Sequence, residues 1–484
     1  MAHAGGGIPF DKQPWYKKLF LLWTHDGAHH ASEKWIGGWA FETLVVIPLA
    51  FLVFLLIVAG VDPAAISGTL AMVIALSPIW LPIGLAVFFW ITWMHYINYA
   101  FWFKQEYVLL EIQLPPEVEK SPLAMELFLS AMYNSGGEGT FIARIWEGKF
   151  RPVFTLEIAS NEGQVKFYLH CRKGWKNILE AKLYGQFPEA RIIEVPDYVA
   201  PIQFNTTDYG LWGAEFMKTA KVSGHPVDAM PIKTYIDYGL DKSPDKPESQ
   251  VDPITNLVEF LGHIGQGEHI WMQIVMKAPK GDRWWYGFPL AGKNPWKEPA
   301  KAKINEITKN AIKRAQDLIE DSEDSKKEKA KVGSRGSTLL SGGEKLQVEA
   351  IERSLTKLYF ECGIRVIYMA RQENFKGVSI GSVVKFFDAY NQPNYNSIMP
   401  TRGSSDFDYP WQDWNGIREN RVKRNLFFRY KHRAYFYVPY DQVPTYLTTE
   451  ELATIWHFPS SVVQTPALDR VPSRRSEAPV NLPT

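Results

Sequence analysis

The chain has 484 residues, room for two or three domains at roughly 100–200 residues each. Its 53 basic and 52 acidic residues leave a net charge of +1, which excludes whole-molecule attraction to nucleic acid, so any polyanion binding must be local. Only two cysteines are present, Cys171 and Cys362, in no metal-ligand spacing, which excludes a disulfide framework and points to two reduced thiols.

Residues 1–38 read as a cytoplasmic interfacial segment, with Lys17–Trp23 as an amphipathic stretch on the inner leaflet. Residues 39–103 read as a two-helix transmembrane hairpin. Trp39–Gly60 carries one charged residue, Glu42, and Leu70–Phe103 carries none, so each suffices for a bilayer core of about 30 Å. Trp39 opens the first run, and Trp90, Trp93, His95 and Trp102 mark the exit of the second; these are the expected anchor residues. The connection Val61–Thr69 has no Lys or Arg, whereas Lys12, Lys17, Lys18, Lys34 and Lys104 flank the pair. The positive-inside rule then puts both termini in the cytoplasm. His25, His29 and His30 have a spacing open to a metal, although a solvated or headgroup-facing cluster is the simpler reading; no metal or cofactor is expected. An ionisable His95 within an apolar run is a functional candidate, or a side chain that snorkels to the interface.

From Tyr107 the pattern predicts α+β structure. Val108–Leu114 alternates as a strand, Glu119–Met132 is a helix with Leu123, Leu127 and Ala131 in phase, and Phe154–Ala159 and Val165–Cys171 form a hairpin across Asn161–Gly163. Trp175–Phe187 is a helix with Ile178, Leu179, Leu183 and Phe187 on one face, and Ala190–Val195 a strand. This β-α-β-β-α-β order predicts a ferredoxin-like (split βαβ) module over 107–200. A second such module over 230–400 is predicted from a strand at Lys233–Asp237, a helix at Pro253–Ile264, a strand at His269–Lys277, helices at Lys301–Glu320 and Glu344–Leu358, and a strand at Gly363–Ala370. The stretch 321–342 reads as a charged mobile loop, 401–465 as an aromatic and basic segment with few regular signals, and 466–484 as an extended Pro-rich tail.

Leu340–Glu344 imitates the signature loop of ABC-type ATPases, but no G-x-x-x-x-G-K-[ST] accompanies it, and a glycine-rich helix start is the better account. No H-E-x-x-H, G-x-S-x-G or D-x-D-x-D-G pattern appears, so catalysis is not expected. Arg418, Arg421, Lys423, Arg424, Arg429, Lys431 and Arg433 lie among Trp411, Trp414, Phe427, Phe428, Tyr430, Tyr435 and Phe436. Three readings stay open there: the solvated face of aromatic strands, a site for anionic lipid, or a path for single-stranded nucleic acid. Trp284–Tyr286, with Phe288 and Trp296, reads as a surface contact or as packing beneath a long loop.

Several phrases together carry a resemblance: Glu119–Glu126, Phe167–Arg172, Tyr184–Ala190, Glu268–Ile274, Glu450–Pro459 and Pro479–Pro483. With them the chain resembles the membrane-anchored N-terminal region of type IV secretion or conjugation coupling-protein-like ATPases. In that family the Asn-Leu-Pro phrase is followed by a P-loop ATPase domain, and this sequence reaches Thr484 at about that point. The resemblance implies a non-catalytic scaffold or docking component in a bacterial cytoplasmic membrane, a homo-oligomer contacting lipids and a separately encoded P-loop ATPase. The alternatives are a membrane-anchored protein that binds single-stranded DNA, or a membrane hydrolase whose site forms only in three dimensions.

Overall fold

The computed structural model describes residues 71 and 74–459, apart from 115–119, 137, 223, 242–251, 280–282, 286–287, 291–295, 318–338, 404–412, 414–415 and 437–441. The expectations for the interfacial segment, the first apolar run with Trp39, the histidine cluster, 321–338 of the charged stretch and the Pro-rich tail lie outside the described residues.

Helix α1, Ser77–Lys104, is the second apolar run. At 28 residues it is about 42 Å long, and it is the one described helix long and apolar enough to cross a membrane. Its first half is exposed on every side, with Ile79, Leu81, Ile83, Leu85 and Phe89 in the open. Its second half is docked. Met94 and Ile97 are buried, and Phe101 and Trp102 pack on Phe150. From β3, introduced below, the Arg172 guanidinium lies 4.7 Å from the Phe150 ring centre and 5.3 Å from that of Phe101.

The chain then forms β1 (Tyr107–Gln113), α2 (Pro122–Ala131), a short helix α3 (Phe141–Trp146), β2 (Val153–Asn161), β3 (Gln164–Arg172), α4 (Lys176–Gln186) and β4 (Arg191–Val195). It continues as β5 (Tyr209–Lys218), α5 (Pro253–Gly262), β6 (Glu268–Lys277), α6 (Lys297–Asp317), α7 (Gly342–Thr356) and β7 (Tyr359–Arg371). Last come α8 (Gly377–Val384), β8 (Ile398–Gly403), α9 (Ile417–Lys431), β9 (Thr445–Thr448) and α10 (Thr449–Ile455). The β2–β3 turn works because Glu162 and Gly163 both take positive φ, 54° and 88°, whose twist matches that of the flanking strands.

Among the described residues these strands make one antiparallel sheet, ordered β8-β5-β7-β6-β2-β3-β1-β4, with β9 alongside the start of β7. The chain's two halves meet where β2 pairs with β6. Alternation sends Val108, Leu110, Ile112, Leu156, Ile158, Met272, Ile274, Ile364 and Val366 to one face, covered by α2, α4, α5, α8 and α10. The opposite residues, Leu109, Ala159, Tyr168, Trp271, Ile367 and Met369, pack beneath Leu426, Phe427 and Tyr430 of α9.

Several expectations need correction. Lys233–Asp237 is a turn, not a strand: Thr234 donates from its amide and hydroxyl to Asp237 Oδ2, both at 3.0 Å, which closes the backbone on itself. The edge-side strand is β5 instead, so the second half of the sheet begins at Tyr209 rather than at 230. In α2 the inward face is Ala124, Met125, Phe128 and Leu129, while Leu123 and Leu127 point out; in α4, Ile178 points out as well. The described residues of 401–465 are largely regular, containing β8's end, α9, β9 and α10. At Leu340–Glu344, Ser341 and Glu344 form a reciprocal capping box that starts α7.

Gly148 holds the sheet to α1. Its φ is +65°, and a Cβ there would lie 2.3 Å from the Ile97 carbonyl oxygen of α1. Gly148→Ala should therefore destabilise the protein by about 1–3 kcal/mol, read from urea denaturation. Gly185→Ala, inside α4 with no atom within 4 Å of the added methyl, should stabilise it by about 0.5–1 kcal/mol.

Candidate functional site

The basic cluster is the site the sequence singles out, and the structure divides it by depth. Most of it lies on α9, a helix rather than aromatic strands, because Val422, Leu426, Phe427 and Tyr430 recur at helical spacing and bury one side. Asp413 accepts from the Arg418 and Glu419 amides, both at 2.8 Å, at the helix start. Arg418, Arg421 and Arg424 are exposed, at i, i+3 and i+6, next to exposed Phe428. Lys423 is turned to the flank, 2.5 Å from Glu419.

The other three cations point inward. Lys431 donates to the carbonyls of Ala200 and Ile202, at 2.9 and 3.2 Å. Arg429 is buried 3.7 Å from Glu215. Arg433 is buried at a positive φ of 50° and grips two acids, Glu157 at 2.9 Å and Asp197. These three hold α9 and its following turn onto the sheet, with Arg429 and Arg433 buried and Lys431 half-buried.

Beneath them runs a row the sequence reading missed. Glu157, Gln273, Arg365 and Glu215 are direct cross-strand neighbours on β2, β6, β7 and β5, all fully or nearly fully buried. Gln273 Nε2 donates to Glu157 at 2.9 Å, and Arg365 donates to Gln273 Oε1 at 3.2 Å and to Glu215 at 3.0 Å. The row is tied to its cover by Arg365 to the Ala434 carbonyl, 3.2 Å, and by Tyr198 to Glu157, 3.0 Å. Three carboxylates, Glu157, Asp197 and Glu215, face three guanidiniums, Arg365, Arg429 and Arg433, so the buried charge is balanced. A signal did exist. Each member is a lone polar residue flanked by apolar ones, as in Leu156-Glu157-Ile158 and Ile364-Arg365-Val366.

Electrostatics follow from that closure. Burial raises the Asp197 carboxyl, but the charge and hydrogen bonds of Arg433, with the Val199 amide, outweigh it and hold the group below its usual range. Burial also pushes the hydroxyls of Tyr198 and Tyr430, 2.7 Å apart, well above their ordinary value.

A second buried network fastens α10. Lys218 pairs with Glu451 at 2.6 Å, both side chains fully buried, and Arg353 lies 3.1 Å from Glu450. Glu126 accepts from Tyr235, Lys357 and Thr449 at 2.7, 2.7 and 3.1 Å. Burial raises the Glu450 carboxyl despite its cationic neighbours. The Glu450–Pro459 phrase is thus an internal clasp.

The membrane candidates are placed as follows. Trp93 donates to the Ile145 carbonyl at 2.9 Å, Trp102 stacks on Phe150, and Trp90 and His95 lie half-buried on α1. Trp296 is buried against Tyr359, with ring centres 4.5 Å apart, so it is packing and not surface. An open depression of about 550 Å³ near the end of α1 is lined by Gln105, Glu106, Arg172, Lys173, Gly174 and Trp175. Among the described residues no three His, Cys, Asp or Glu side chains converge to hold a metal ion.

Comparison with protein-family models and with curated proteins finds no match for the chain.

Arg433→Ala would remove the guanidinium from buried Glu157 and half-buried Asp197 and should cost about 3–5 kcal/mol in chemical denaturation, whereas Arg421→Ala should leave the midpoint unchanged. Because the folded pKa of Asp197 lies below its unfolded value, its stabilisation is complete above the unfolded value and is lost as pH falls through the folded one. Asp197→Asn should therefore flatten the acid limb of stability against pH and leave other limbs intact.

Proposed function

We infer that this chain is a non-catalytic, membrane-anchored scaffold or docking platform of a type IV secretion or conjugation-like system. It sits in the bacterial cytoplasmic membrane by a two-helix hairpin with both termini cytoplasmic, and acts with a P-loop ATPase in trans. The observation that carries this reading is α1. Its apolar first half is exposed on every side, while its second half is built into the mixed α+β body, as an anchor that must position a domain requires.

The body is read as two ferredoxin-like units joined edge to edge. Support comes from strand order: β4-β1-β3-β2 in the first half and β8-β5-β7-β6 in the second follow one connectivity, each with a helix after its first strand. Homo-oligomerisation is part of the proposal, supported by exposed Leu123, Leu127 and Ile178 on the adjoining helices α2 and α4. The resemblance of the Glu268–Ile274 and Glu450–Pro459 phrases supports the secretion context.

Mild cross-linking in native membranes followed by purification and mass spectrometry should recover a P-loop ATPase or other secretion components. Recovery of neither would overturn the reading.

The exposed row Arg418, Arg421 and Arg424 beside Phe428 favours a second reading, in which the platform contacts single-stranded nucleic acid. Binding of an oligonucleotide should then fall steeply with salt, and Arg421→Ala with Arg424→Ala should weaken it and lower the salt slope by about one per arginine. No binding at low salt would remove this reading and leave the scaffold standing.

A further inference from the structure

Helix α3 has no counterpart in the expected elements, and its composition is unusual for a surface helix. Of Phe141-Ile-Ala-Arg-Ile-Trp146, only Ala143 and Ile145 are buried. Ile142 is 65% exposed and Trp146 66%, with Phe141 beside them at 46%. The local fold presents these side chains deliberately. Thr140 caps the helix through the Ala143 amide at 3.3 Å, and Gly148 turns the chain at positive φ directly after it.

The position of α3 identifies what covers this face. Trp93 Nε1 donates to the Ile145 carbonyl at 2.9 Å, and the Trp93 and Trp146 rings meet edge to face with centres 5.5 Å apart. Trp93 is where α1 changes character, from the wholly exposed apolar half to the half docked on the body. The exposed face of α3 is therefore continuous with the apolar surface of α1. From Ser77 to Trp93 the helix covers about 25 Å, close to one hydrocarbon core, so Trp93 and Trp146 stand at the depth where indole rings concentrate. Charged groups flank the face at the same level: Lys149 with Glu147 at 2.6 Å, and Arg144 with Glu138 at 3.5 Å.

We propose that α3 is an interfacial foot, whose Ile142 and Trp146 insert into the boundary between headgroups and acyl chains beside the exit of α1. The occupant is the lipid bilayer itself. The foot gives the body a second point of support, so the sheet is held at a set height and angle over the membrane. The proposal rests on the reading of α1 as a membrane anchor.

The native thiols make the test clean. Cys171 and Cys362 are both buried, and burial pushes the Cys171 thiol up to about 12 and that of Cys362 well above its usual value, so both stay silent to maleimides. Ile142→Cys, Val87→Cys in α1 and Val378→Cys, a control site 88% exposed, are each introduced into the full chain and reconstituted in nanodiscs of phosphatidylcholine and phosphatidylglycerol. Labelling by a membrane-impermeant maleimide should be at least about tenfold slower for Ile142→Cys and Val87→Cys than for Val378→Cys. A nitroxide on Ile142→Cys should collide more with oxygen than with a polar nickel chelate, as lipid contact requires. Fast labelling of Ile142→Cys with Val87→Cys protected would overturn the foot and leave the anchor in place. Fast labelling of both would overturn the foot together with the anchor. Slow labelling with low collision rates for both quenchers would mean a protein surface covers the face, and would also overturn it.

Discussion

Because β2 and β6 pair along nine residues, from Val153 opposite Lys277 to Asn161 opposite His269, the two halves of the chain share one sheet and both strands are covered on both faces. A strand buried on both faces cannot leave a polar side chain unpartnered without a cost of several kcal/mol. Glu157 and Gln273 sit in the middle of this pairing, so a cover carrying cations and carbonyls is required above them. The segment Arg429–Ala434 supplies that cover, and α9 is held where it is by the need to deliver it. Arg418, Arg421 and Arg424, in the first half of α9, are exposed, whereas Arg429 near its end and Arg433 in the turn that follows are buried over the ionic row.

The ionic row is not an efficient source of stability. Desolvating six charges consumes most of what their attraction returns, and a well-packed apolar row of equal volume would serve as well or better. Its distinctive contribution is register. On the main-core face β2, β6 and β7 are mostly apolar, with Phe154, Leu156, Ile158, Ile270, Met272, Ile274, Met276, Phe360, Ile364 and Val366, which by themselves would tolerate many alignments. A slip of one residue would turn Glu157, Gln273 or Arg365 into that apolar core, and a slip of two, which keeps the faces, would break the Glu157–Gln273–Arg365 hydrogen bonds.

Much of the first half was legible because its signals are local. The Asn161–Gly163 turn, the alternation in β2 and β3 and the Ser-Pro start of α2 each declare themselves within a few residues. The second half hid β5, whose Tyr209–Lys218 run is interrupted by Gly210, Gly213 and Glu215 and becomes a strand only through β7 and β8 on either side. Lys233–Asp237 had strand-like composition, but Asp237 captured the Thr234 backbone. The basic cluster was visible as composition, yet its division into an outer face and an inner clasp was not, because the acids that claim Arg429 and Arg433 lie more than 200 residues away at Glu157, Asp197 and Glu215. The helical phase of Val422, Leu426, Phe427 and Tyr430 was in the sequence, overshadowed by the charges around it.

The join between α1 and the sheet has a mechanical meaning. Ile97 abuts the Gly148 backbone, Phe101 and Trp102 clasp Phe150, and Arg172 of β3 closes over the rings of Phe101 and Phe150, so the end of the helix is packed directly on the body. A helix attached in this way is a lever and not a tether. If α1 lies in a bilayer as proposed, a change of hydrocarbon thickness met by helix tilt would pass through these contacts to the orientation of the sheet. On the proposed anchoring, the thickness and composition of the surrounding lipid would become an input to the angle of the sheet.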